Sequence, residues 1–246
     1  MSEKNKKVFI VNGSHKGRKG NTHVLVEAFI KGIKKANAQF EYIVLNELKI
    51  ESCKACFYCW RKTKGLCCIN DDMKTLIEKF IASDFVVLAS PLYIDNVSAL
   101  MKNFMDRLVP ILDPRFELDE NNESLHKKRY SKYPDLIAIS NCGYPEQSHF
   151  QAISLLFKRM TRNMHCKLIA EIYKEQGSLL KVDRPLHNPN VDSYLSAVEE
   201  AAHEIMKHIF ISSETKKKLS ISLSAKEDYL KEANEFWEKA LKKIET

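Results

Sequence analysis

Strand-length apolar runs alternate with segments of helical periodicity along most of this chain, and that alternation restricts it to few architectures. Residues 7–11 form a short apolar run ending in Asn12-Gly13-Ser14, which predicts a buried strand followed by a loop. Val24, Leu25, Ala28, Phe29 and Ile33 then share one helical face within residues 21–36. Further strands are predicted over 40–45, 84–89, 135–140 and 168–173, and further helices from Met73 onward and over 96–112, 147–165 and 191–210. The run at 84–89 is apolar after its first residue, as expected at the centre of a sheet. Five strands with intervening helices imply an α/β, doubly wound parallel sheet with right-handed crossovers.

Local signals punctuate this pattern. Asn70-Asp71-Asp72 reads as a helix cap with first-turn acids, Pro114 as a helix stop, and residues 115–134 as a polar excursion. A loop bearing Pro185 and Pro189 leads into the helix at 191–210. The α/β unit is expected to occupy 1–212, with a cysteine-rich loop at 52–70 and a helical C-terminal extension at 213–246. In that extension Ser224-x-x-Glu227 reads as a capping box. Behind it, Leu230, Ala233, Phe236, Trp237, Ala240, Leu241 and Ile244 form an apolar stripe that should be buried on this domain or on a partner subunit.

Composition excludes several classes. The chain has 246 residues, 44% hydrophobic and 29% charged, with seven Gly and seven Pro, so it is neither collagen-like nor disordered. No stretch reaches the roughly 18 apolar residues of a membrane span, and the polar N-terminus lacks a signal-peptide pattern. We therefore expect a cytoplasmic protein with reduced thiols and no membrane partner. The net charge of +7 comes from lysines spread along the chain without a nucleic-acid-binding motif, so no nucleic-acid partner is expected.

The segment from Gly13 to Thr22 joins the first strand to the first helix, where open α/β sheets bind ligands. A helix N-terminus there attracts phosphate. Ser14, Asn21 and Thr22 add hydroxyl and amide donors, and Arg18 adds charge. Neither the G-x-x-x-x-G-K-[ST] nor the G-x-G-x-x-G spacing is present, which favours a monophosphate over ATP or the usual dinucleotide. An ordinary polar turn with a capped helix is the alternative.

Five of the seven cysteines lie within sixteen residues: Cys53, Cys56, Cys59, Cys67 and Cys68. Clustering of this kind points to metal or redox chemistry. Cys-x2-Cys-x2-Cys with a fourth thiol nearby supplies what a [4Fe–4S] cluster needs, and Cys67 and Cys68 compete for the fourth place. Zinc, a reactive thiol or disulfide, and a loop that holds no metal stay open as alternatives. Cys142 and Cys166 stand alone and read as packing residues. No nucleophile–base triad or paired-carboxylate site is evident. His15, in the phosphate loop, is the histidine closest to a candidate site.

Four blocks together resemble the flavodoxin-like NAD(P)H-dependent FMN reductases, and look most like their iron–sulfur flavoprotein branch. They are Val11-Asn12-Gly13-Ser14 with Gly20-Asn21-Thr22; the cysteine run from Cys53 through Cys67; Asp71-Asp72-Met73; and Ser90-Pro91-Leu92-Tyr93 with Leu100-Met101-Lys102 and Phe104-Met105-Asp106-Arg107. The likeness spans roughly residues 6–210. It implies a flavodoxin-like fold and an FMN-dependent oxidoreductase in which the flavin, not a protein side chain, carries the chemistry. It implies that Ser14, Lys16, Arg18, Asn21 and Thr22 hold the FMN phosphate. It implies that Pro91, Leu92, Tyr93, Ile94 and Asn96 wall the ring and that Asn141, Gly143 and Tyr144 meet its other end. Asp95 departs from the glycine frequent there and is expected to face solvent.

The same resemblance implies a [4Fe–4S] cluster on Cys53, Cys56, Cys59 and Cys67, with Cys68 as a spare thiol. NAD(P)H is implied as co-substrate, and ferredoxin or a small molecule as electron carrier. A homodimer or homotetramer is the assembly implied. No nicotinamide motif stands out. Two alternatives remain: an NAD(P)H-dependent reductase of FMN or quinones without a cluster, and a non-catalytic metal-binding module.

Overall fold

The computed structural model describes residues 5–181 and 188–244, and Pro185 lies outside them. Five strands form one parallel sheet: β1 (Lys7–Asn12), β2 (Gln39–Val44), β3 (Phe85–Pro91), β6 (Asp135–Asn141) and β7 (Leu168–Lys174). Their order is β2-β1-β3-β6-β7, the flavodoxin-like arrangement, with β3 at the centre and buried over its whole length.

Alternation along the strands divides the core in two. Val8 and Ile10 face helix α1 (Asn21–Lys35) and helix α6 (Pro189–His208). Phe9 and Val11 face α3 (Met73–Ala82), α4 (Ala99–Asp106) and α5 (Gln151–Asn163). Each fully buried large apolar side chain contributes about 1.5–3 kcal/mol. The closest helix approach is at Gly32, where an added Cβ would lie 2.0 Å from the Glu199 carbonyl oxygen of α6. Glycine is required there to let the two backbones meet.

Several local expectations change. The helix predicted over 96–112 is shorter. Ser98 caps it by accepting from the Met101 amide, and it ends at Asp106. Pro114 does not stop a helix but lies within β4 (Leu112–Leu118), which pairs antiparallel with β5 (Ser124–Lys128). The polar excursion is therefore mostly a hairpin. Its strands escaped detection because their side chains are largely exposed and show no apolar alternation. Asp72 makes no capping bond to α3; it accepts from the Lys49 amide instead.

The extension begins with α7 (Ser213–Leu219), capped by Ser212, and ends with α8 (Lys226–Lys242). The Ser224 box does not form, because the residues after β7 engage that segment first. Gln176 Oε1 accepts from the Leu223 and Ser224 amides, both at 3.0 Å, and its Nε2 donates to the Ser224 carbonyl. Lys174, fully buried, donates to the Ile221 carbonyl at 2.6 Å and pairs with Glu175 at 2.7 Å. Burial pulls the Lys174 pKa down against the opposing pull of Glu175. On α8 only Tyr229 is buried; Leu230, Phe236, Trp237 and Leu241, and Ile244 just after the helix, stay exposed within the single chain. Among the described residues no helix is long and apolar enough to cross a membrane.

Candidate functional site

The loops that follow β1, β3 and β6 meet at the carboxyl edge of the sheet. After β1, residues 13–20 wrap through one 3₁₀ turn into the N-terminus of α1. No side chain caps that terminus, since Gly20 holds the cap position. The amides of His15, Arg18, Asn21 and Thr22 donate to no described backbone or side chain. Ser14 and Thr22 are buried. Ser14 Oγ accepts from the Lys16 amide and Thr22 Oγ1 accepts from Asn141 Nδ2 at 2.8 Å. Each hydroxyl therefore keeps its own proton to donate. An added Cβ on Gly20 would sit 2.7 Å from Ser14 Oγ, so the cradle admits no larger residue without shifting.

Arg18 is not part of this cradle. Its guanidinium pairs with Glu47 at 3.0 Å and lies 5.0 Å from the Tyr42 ring centroid, so its charge is neutralised away from the loop. Lys16 is exposed on the outer side of the turn. Ser98 fixes the loop from below by donating to the Gly13 carbonyl at 2.5 Å.

After β3, Tyr93 and Asn96 exchange backbone hydrogen bonds of 2.8 and 3.0 Å around Ile94 and Asp95. Both central residues have positive φ, +48° and +54°. A β-branched residue in that region is strained, and such strain persists only where surrounding structure enforces it. The turn lifts Ile94 to 97% exposure and leaves Tyr93 half exposed, with the His15 ring 6.1 Å away. Pro91 and Leu92 are buried, so they present backbone rather than side chain; the Leu92 amide donates to the Asn141 carbonyl. Asn96 folds its amide oxygen onto the Val97 amide. Asp95 is exposed as expected, 3.8 Å from His149.

After β6, Asn141 is buried and bridges to Thr22, so the first and third loops are tied directly. Nothing lies within 4 Å of a Cβ placed on Gly143, which leaves its backbone open to a ligand. Tyr144 is exposed and stacks on His149 at 3.8 Å between ring centroids. Tyr229, from α8, donates to the Gly143 carbonyl at 2.6 Å and so holds this loop from the far end of the chain.

The cysteine loop is separate and lies beyond β2. Ala55 and Phe57 adopt positive φ on either side of Cys56 and lead into a single helical turn, α2 (Tyr58–Arg61). Cys53, Cys56, Cys59, Cys67 and Cys68 all line one cavity of about 330 Å³. Cys56 and Cys68 sulfurs lie 3.7 Å apart, but among the described residues no group of three ligands is positioned around one metal ion. Burial and the neighbouring thiols push the Cys59 thiol up, whereas the Tyr58 backbone holds that of Cys56 down.

Beneath the cavity lies Arg107, 1% exposed. Nη1 and Nη2 reach both Asp71 oxygens at 2.7 and 2.9 Å, and Nη2 also points at Cys67 Sγ, 3.5 Å away. Among the described residues its Nε has no partner. Burial pushes the Asp71 carboxyl up, but the Arg107 and backbone hydrogen bonds outweigh that and hold it low. Trp60 donates to the Val109 carbonyl and packs on His126 of β5, so the hairpin braces this loop. In chemistry the donor set fits a thiolate-bound cluster: five sulfurs face one cavity and a buried cation is aimed at one of them.

The sequence model of the NADPH-dependent FMN reductases matches residues 6–129, a span that includes the phosphate loop, the cysteine loop and the turn after β3. The chain belongs to this family. An iron–sulfur flavoprotein of Archaeoglobus fulgidus is 36% identical over 101 residues, covering 41% of this chain and 48% of the relative. One from Methanocaldococcus jannaschii is 36% identical over 106 residues, covering 43% and 52%. The chain thus spans about half the length of the curated relatives it matches. An FMN-dependent NADH-azoreductase from Bacillus anthracis, solved with FMN, superposes with a TM-score of 0.60 at 16% identity, over 82% of this chain and 99% of that one. An NAD(P)H:quinone oxidoreductase from Methanothermobacter marburgensis gives 0.58 at 13%, over 83% and 99%. At these identities the structures establish the shared fold.

Sequence patterns did not reveal three features of this family member. Arg107 and Asp71 are 36 positions apart, and each also satisfies a local motif. The Tyr144–His149 stack needs the 3₁₀ turn at Gln147–Phe150 to bring the rings together. Tyr229 reaches Gly143 across 86 residues. No periodicity encodes such long-range pairs.

Proposed function

We propose that the chain is an FMN-dependent oxidoreductase that takes electrons from NAD(P)H and delivers them to a small-molecule acceptor or a ferredoxin-like carrier. The observation that carries this reading is the convergence of the α1 N-terminus, the strained turn at 93–96 and the open loop at 141–144 on one sheet edge. The Ser14 and Thr22 hydroxyls, the Asn21 side chain and the first-turn amides would donate to the FMN phosphate. The backbone at 91–94 would wall the ring and Gly143 would approach its other end. FMN supplies the electron-transfer chemistry when bound. The protein's part is to fix the phosphate, orient the ring and exclude water behind Leu92. The iron–sulfur names of the archaeal relatives and the thiol-lined cavity support a [4Fe–4S] cluster held by Cys53, Cys56, Cys59 and Cys67. The exposed Leu230, Leu241 and Ile244 side chains support a homodimer or homotetramer.

The deciding experiment is anaerobic purification followed by a visible spectrum and assays for iron and acid-labile sulfide. Flavin bands with about four irons per chain are expected. Flavin without iron leaves an NAD(P)H-dependent FMN or quinone reductase. No flavin even after incubation with FMN removes the oxidoreductase assignment.

A further inference from the structure

The α8 helix does more than extend the fold: it closes a second compartment against the outer side of the phosphate loop. A cleft of about 810 Å³ runs between residues 16–21 and α8, within the size range of small-molecule sites. Its chemistry is polarised. Lys16, Lys19 and Lys181 line it together with the aromatic pair Phe236 and Trp237 and the carboxylate of Glu232. Lys16 and Lys19 make no ion pair among the described residues, although many of the chain's lysines do. Phe236 and Trp237 meet edge to face at 5.3 Å, are 58% and 62% exposed, and bury no partner ring. Lys181 Nζ lies 5.8 Å from the Phe236 ring centroid, so the cationic and aromatic halves adjoin. Tyr93 and Tyr144, the rings beside the strained turn and the open loop, do not line this cleft, whereas Asn21 and Gly143 border it.

We propose that this cleft binds the adenosine-phosphate portion of the nicotinamide dinucleotide donor. Lysines take the phosphates as point charges. The exposed aromatic pair offers a stacking face for the purine. The Glu232 carboxylate is an acceptor for ribose hydroxyls. The cleft shares the Asn21–Gly143 border with the flavin cradle, so a nucleotide held there extends toward the flavin. Tyr229 sets the spacing, because its bonds to the Gly143 carbonyl and to Ser178 Oγ at 2.8 Å fix α8 beside the loop. The proposal rests on the reductase reading for the identity of the donor, and on the cleft alone for its chemistry.

The full-length protein should be titrated calorimetrically with adenosine 2′,5′-bisphosphate and, separately, with FMN, and its KM for NADPH measured. Trp237→Ala and Lys19→Ala are each expected to weaken bisphosphate binding and raise the NADPH KM at least tenfold, with FMN affinity changed less than twofold. Lys19 lies on the loop surface, so its variant tests the site even if the helix variant misfolds. Leu241→Ala, on the same helix but outside the cleft, should bind the bisphosphate like the native chain. Loss of FMN affinity in place of donor affinity would assign α8 to the flavin and overturn the proposal. So would a native protein that fails to bind the bisphosphate, or a Leu241→Ala defect equal to that of Trp237→Ala. A protein that binds the bisphosphate but not FMN keeps the nucleotide cleft and discards the reductase reading.

Discussion

The sheet edge and the cysteine loop are both candidate cofactor regions, yet they are built on opposite plans. The sheet edge borrows its order from the fold. Its loops leave three adjacent strands, and Asn141–Thr22 and Ser98–Gly13 lock them together. The cysteine loop is braced instead by the β4–β5 hairpin, through Trp60 on His126. It relies on one buried ion pair, Arg107–Asp71, on Trp60, and on strained backbone at Ala55 and Phe57. The contrast shows how a single fold can carry one pocket ordered by its sheet beside another ordered by side-chain contacts.

The largest effect should come from cutting the buried ion pair beneath the cysteine loop. Arg107→Ala leaves Asp71 buried and unpaired, which costs about 3–5 kcal/mol. Urea denaturation should show that loss, and iron content should fall while any surviving folded protein still binds FMN. If iron and flavin vanish together in folded protein, the two regions are one unit. Next is the triple variant Ser14→Ala, Asn21→Ala and Thr22→Ala. Hydrogen bonds to a charged group contribute about 1.5–3 kcal/mol each, so FMN affinity should drop at least about a hundredfold with iron unchanged. Normal FMN binding by that variant would dissolve the phosphate assignment. Gly20→Ala tests how tightly the cradle is packed. The clash with Ser14 Oγ should cost about 1–3 kcal/mol, whereas a neutral result in thermal unfolding would mean the loop gives way.

The smallest effect separates the two sets of thiols by pH. Burial pushes Cys142 up to about 11 and Cys166 up to about 12. In the unfolded chain these thiols ionise near 8.5. Between those values the folded state binds more protons than the unfolded one, so stability falls as pH rises, by up to about 1.4 kcal/mol per pH unit per thiol. Cys166→Ala should flatten that alkaline slope. Cys56, whose thiol the Tyr58 backbone holds down, should react first with alkylating reagents near neutrality.

Legibility in the sequence followed the same division. Strands β1, β3 and β6 bury nearly every side chain, so their apolar runs identify them without ambiguity. The loop after β1 was readable as a turn into a helix N-terminus because its position and its small polar residues follow from fold geometry. The hairpin was not, since its strands are mostly exposed and stabilised by ion pairs such as Arg162–Asp119. The Ser224 capping box is valid local chemistry overruled by Gln176, 48 residues earlier. Arg18 carried the charge expected of a phosphate ligand, but Glu47, 29 residues later, takes it up. Local motifs hold where sequence neighbours supply the partners and give way where distant segments supply them.

The bond from Tyr229 to Gly143 sets a schedule. Eighty-six residues separate the two groups. At about 5–20 residues per second of synthesis, roughly 4–17 seconds pass between the emergence of the loop and that of its clasp. Until then the loop after β6 lacks its last restraint, as does the aromatic wall beside it. A nascent chain can therefore complete its sheet well before its pocket, and a cofactor arriving early meets an edge still open on one side.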